Sequence, residues 1–98
     1  MNKLNYETKT VNIIDYNTLD NFVRNELGWK DYNFCCIQES PNDTCHSFNL
    51  NGKLDEWALR EIRDWGKGSR VDNNHTVLNY LVAEGHIPAG ECIVEVCW

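Results

Sequence analysis

The sequence predicts an α+β fold: a mostly antiparallel sheet of about four strands, covered on one face by three helices, in the order β-α-β-β-α-α-β. Three observations carry this. Ile87 to Trp98 (IPAGECIVEVCW) opens on a Pro88-Ala89-Gly90 turn, and then Cys92, Val94, Val96 and Trp98 alternate with Ile93, Glu95 and Cys97. A β-branched run of period two reads as a strand, and chain ends fray unless they are tied into the fold. This C-terminal strand is therefore expected inside the sheet. Three separate stretches repeat apolar residues at helical spacing, and each ends at a glycine. Finally, 98 residues with 42% apolar content, four Trp, four Tyr and three Phe suit one compact domain over 1–98.

Each element has its own signal. Thr8 to Ile14 reads as a first strand, with Val11 and Ile13 on one face and Ile14 on the other. Asn17 or Thr18 can cap a helix in which Leu19, Phe22, Val23 and Leu27 share a side, and Gly28 stops it. Tyr32 to Gln38 alternates again as a second strand. Glu39-Ser40-Pro41-Asn42-Asp43 is a loop, and Cys45 to Leu50 returns as the other arm of a hairpin, closed by an Asn51-Gly52 turn signal. Leu54, Trp57, Ala58, Ile62 and Trp65 mark an amphipathic helix that ends at Gly66 and Gly68. Asn74 is the expected cap of the last helix, which buries Val77, Leu78, Leu81 and Val82 and ends at Gly85.

The net charge is −6, spread evenly along the chain. Direct nucleic-acid binding is disfavoured, because phosphate affinity rests on lysine and arginine. A negative surface is steered towards basic partners instead. No segment approaches the ~20 apolar residues of a membrane span, and no apolar run follows Met1, so a cytoplasmic, membrane-free protein is expected. In a reducing compartment the five cysteines are read as free thiols.

Chemistry-bearing clusters are few. Cys35-Cys36 and Cys45-His46 would meet across the predicted hairpin, where thiolate and imidazole ligands suit zinc. The C-x-x-C spacing is missing, however, and adjacent strand residues point to opposite faces. A small metal- or thiol-dependent enzyme on this hairpin is the alternative function. Buried structural cysteines are the simpler reading, with no cofactor and no catalytic residue. Gly66-Lys67-Gly68-Ser69 lacks the upstream glycine and strand of a phosphate loop. Arg60, Arg63, Lys67 and Arg70 alternate with Glu56, Glu61 and Asp64, as on a solvated helix face with i,i+4 pairs. Trp57 and Trp65 belong to the core stripe of that helix. Trp29 follows a helix stop, and is either an exposed anchor or a lid on the core.

VNIIDYNTLDNFVRNELG (Val11 to Gly28), NDTCHSF (Asn42 to Phe48) and IPAGECIVEVCW (Ile87 to Trp98) resemble stretches of small bacteriophage proteins. The resemblance implies an inhibitor of the anti-CRISPR or anti-defence type, without an active site. On that reading the chain is a non-enzymatic protein that occludes a basic surface of a host protein or nucleoprotein complex, with Trp29, Asp31, Glu39, Asp43 and Asp72 as partner-binding residues. A self-associating structural or regulatory module, a homodimer for instance, is a third reading.

Overall fold

The computed structural model of the protein describes residues 11–37 and 45–96. Its elements are β1 (Val11–Asp15), α1 (Tyr16–Glu26), α2 (Phe34–Ile37), β2 (Cys45–Leu50), α3 (Glu56–Gly66), α4 (Asn74–Ala83) and β3 (Gly90–Glu95). Among the described residues the fold is α+β with a three-stranded, mixed sheet, and the expected four-stranded, mostly antiparallel sheet is not formed there. Its order is β1-β3-β2. The C-terminal strand takes the middle place, parallel to β1 and antiparallel to β2.

Local chemistry explains the helix starts. Asp15 ends β1 and caps α1, its Oδ2 accepting from the Asn17 and Thr18 N–H groups at 3.0 and 3.3 Å. Asn17 and Thr18, expected as caps, instead supply the first orphan donors. Asp55 caps α3 by accepting from Ala58 N–H at 2.8 Å. The cap of α4 is Asn73, one residue before the expected Asn74, and its side chain accepts from Thr76 N–H. Asn74 turns inward and is buried.

The second predicted strand does not form in its described part. Phe34–Ile37 is a single helical turn started by Asn33, whose side chain accepts from Cys36 N–H and whose carbonyl accepts from Ile37 N–H. Tertiary bonds engage further backbone groups of this stretch. Asp20 Oδ1 accepts from Phe34 N–H at 3.0 Å, and Arg24 Nε donates to the Tyr32 carbonyl at 2.7 Å. With those groups engaged, Tyr32 to Phe34 cannot enter a strand ladder. Among the described residues the predicted hairpin with β2 does not form either, and β2 pairs with β3.

The core lies on one face of the sheet. Cys92, Val94 and Val96 near the chain end, with Leu50 of β2, meet Leu19 and Val23 of α1 and Val77, Leu78 and Leu81 of α4. Tyr32, Phe34 and Trp29 close one end. Burying a valine is worth roughly 1.5–3 kcal/mol, so β3 binds the layers together as well as the strands. The turn after β2 is fixed from α4, where the buried Asn79 side chain accepts from both Asn51 and Gly52 N–H at 3.1 Å.

Candidate interaction surface

The strand register sorts the sheet into two unlike faces. Asn12, Ile14, His46, Phe48, Cys92 and Val94 point towards the helices. Val11, Ile13 and Asp15 of β1 lie in rows with Glu91, Ile93 and Glu95 of β3, and with Asn49, Ser47 and Cys45 of β2. No described helix covers this outer face, and Ile13 at its centre is 62% exposed. Val11 and Ile93 are half-buried beside it. Three carboxylates flank the apolar strip, and the nine positions hold no lysine or arginine. Ser47 Oγ donates to Glu91 Oε1 at 3.0 Å, which fixes one of those carboxylates across the strands. An apolar centre with a polar rim is the usual layout of a protein interface. Alternation in the sequence placed Val11 and Ile13 on one face; it could not say that this face is the open one.

Of the described sequence-predicted site residues, Trp29 and Asp31 line one shallow recess beside Trp65, and Asp72 is not among its walls. Trp29 is core, only 8% exposed. Its ring stands edge-on to Trp65, with centroids 5.2 Å apart, and lies 5.4 Å from Tyr80. It is therefore the lid on the core, with its anchor role removed by burial. Asp31 and Asp72 are exposed on separate connections, and neither makes a hydrogen bond or ion pair with another described residue. Glu39 and Asp43 lie outside the described residues.

Trp57 reverses in the other direction. Expected in the core stripe of α3, it is 66% exposed, and Leu59 is 47% exposed. The signal was present in the sequence. Residues three, four and seven positions after Trp57 are Arg60, Glu61 and Asp64, all charged, so its helical neighbours form a wet face. Arg60 and Arg63 make no ion pair within 4.0 Å among the described residues. The basic side of α3 is solvated, as expected, but without the i,i+4 pairs.

The described cysteines are dispersed. Cys35 and Cys36 sit on α2, while Cys45 is exposed at the start of β2 and Cys92 is buried on β3. Among the described residues no group of three or more His, Cys, Asp or Glu side chains is placed to hold a metal ion. Burial pushes the Cys35 thiol up, helped by the Asp20 charge, and burial alone does the same to Cys92. Both shifts favour the unreactive thiol over the thiolate. His46 is buried with its ring edge-on to Phe34, and its Nε2 has no hydrogen-bond partner among the described residues.

Among the described residues no helix is long and apolar enough to cross a membrane. Comparison of the chain with protein-family models, curated proteins and solved structures finds no match in any of the three.

Proposed function

We propose that the chain is a non-enzymatic binding protein that covers a basic surface of a protein or nucleoprotein partner with the outer face of its sheet. The observation that supports this is the charge pattern around Ile13. Exposed apolar area is flanked by Asp15, Glu91 and Glu95, with no basic residue among the described positions of the face. A basic partner gains both burial of Val11, Ile13 and Ile93 and attraction to the rim. A second copy of the chain fits less well, because face-to-face pairing brings these carboxylates against their own kind. The resemblance to small phage proteins makes a bacterial defence complex, a CRISPR effector above all, the first partner to test.

The test is a pull-down from a defence-competent bacterial lysate with wild type, Ile13→Asp and the Glu91→Lys/Glu95→Lys pair. The reading expects a basic nucleic-acid-handling protein retained by wild type and lost from both variants, with capture weakening as salt rises. Capture that is independent of salt and of all three positions would move the interface elsewhere. Sedimentation as a dimer that Ile13→Asp dissociates would assign the face to self-association.

A further inference from the structure

We infer that the recess between the start of α3 and the start of α4 is a binding site for an arginine side chain of a partner protein. The half-open recess has a volume of about 220 Å³; its walls include Trp57, Asn73 and Thr76, and its one lysine, Lys53, is outnumbered by the carboxylates of Asp55 and Glu61. Trp57 and Glu61 are one helical turn apart on α3, so they share a side of it. No other ring and no cation stacks on the Trp57 indole among the described residues, whereas Trp29 is packed between Trp65 and Tyr80. Such a wide, unstacked indole face attracts a guanidinium placed over it.

Glu61 supplies the complementary charge. Its Oε1 accepts from Asn73 Nδ2 at 3.3 Å and from Thr76 Oγ1 at 3.2 Å, which hold the half-buried carboxylate in place. Its Oε2 makes no hydrogen bond among the described residues. A carboxylate held from one side, with its second oxygen open and an indole one turn away, matches a planar cation that both stacks and donates. Arginine does both, while an ammonium is a compact point charge without a stacking plane. The site belongs to the helical layer, so it stands or falls separately from the outer sheet face.

The test is a titration of the isotope-labelled full chain with N-acetyl-arginine methylamide, followed by nuclear magnetic resonance. The citrulline and lysine analogues serve as controls. The expected result is a saturable shift of the Trp57 indole N–H with the arginine compound at millimolar concentration, and binding of the citrulline analogue at least about tenfold weaker. Glu61→Gln keeps an oxygen for Asn73 and Thr76, and is expected to leave the melting temperature in place while weakening arginine binding by a similar factor. Trp57→Ala, followed through the backbone amides of α3 and α4 that shift in wild type, is expected to abolish binding, whereas Ile13→Asp leaves it unchanged. An equal response to citrulline or lysine, no response to arginine, or full binding by Glu61→Gln would each overturn the assignment.

Discussion

The Tyr32 hydroxyl donates to Asn74 Oδ1 at 2.8 Å, and the Asn74 amide in turn donates to the Phe34 carbonyl at 3.4 Å. A residue of the α1–α2 connection is thereby tied to the first turn of α4 inside the core. Burial, with the Asp20 charge nearby, pushes the Tyr32 phenol well above its usual range, so it remains a donor at any pH the fold meets. Tyr32→Phe keeps the ring and removes the donor. The expected loss is about 1–3 kcal/mol in urea unfolding, with an unchanged m-value. A loss within error of zero would show that this bond is replaceable.

Asp20 predicts a pH dependence. Its carboxyl is almost wholly buried, and desolvation raises its pKa above 3.8 despite the Phe34 N–H and the Arg24 guanidinium 3.8 Å away. A raised carboxyl means that the folded state holds the proton more tightly than the unfolded chain. Stability from this group therefore falls as pH rises from the unfolded value through the folded one, and it returns on acidification. Asp20→Asn lacks this titration, so its stability relative to wild type should increase across that window. Asp20→Ala also strips the acceptor from Phe34 N–H, and should cost about 1–3 kcal/mol throughout. Parallel melts of the three proteins against pH check both statements.

The two tryptophans that exchanged roles separate cleanly by stability. Trp29→Ala empties a packed site and should cost about 3–5 kcal/mol, a large share of the ~5–15 kcal/mol that holds a small domain together. Trp57→Ala removes an exposed ring and should stay within about 0.5 kcal/mol of wild type. Thermal unfolding of both variants, followed by circular dichroism, is sufficient. Similar losses would mean that Trp57 is packed.

Gly52 is tied to α4 by shape as well as by Asn79. Its φ of +72° suits glycine, and an added Cβ would lie 2.8 Å from Val82 Cγ1. Gly52→Ala should therefore destabilise by more than the ~1 kcal/mol of left-handed backbone strain alone. Asn79→Ala removes the acceptor shared by the Asn51 and Gly52 N–H groups, and should cost about 1–3 kcal/mol. Combined, the two substitutions should cost less than their sum, because both release the same turn.

The chain end tests the central position of β3. Deleting residues 94–98 takes Val94 and Val96 from the core and breaks the ladders to both neighbouring strands. A cooperative melt is expected to disappear, since two buried valines alone are worth about 3–6 kcal/mol. A truncated protein that still melts cooperatively would place the strand outside the folding unit.

The elements legible in the sequence are those whose signal is local. The alternation of Cys92, Val94 and Val96, and the helical spacing of Leu19 with Val23 and of Val77 with Leu81, each follow from side-chain direction along one segment. The sequence by itself thus determined the α+β class, three long helices, β1, β2 and β3, and most of the residues in the core. Tertiary structure decided what depends on distant partners. Tyr32, Phe34 and Cys36 alternate as a strand would, yet Asp20 and Arg24 engage the backbone at 32 and 34, and Asn33 turns the chain into α2. Strand order was equally out of reach, because β1 pairs with β3 from opposite ends of the described chain, and no local signal reaches that far. Tertiary packing also separated Trp29 from Trp57: among the described residues Trp29 packs against the rings of Trp65 and Tyr80, and Trp57 against none. The candidate surfaces are legible for the same reason only in part. Period two put Val11 and Ile13 together, while the absence of a described helix over them is a property of the assembled fold.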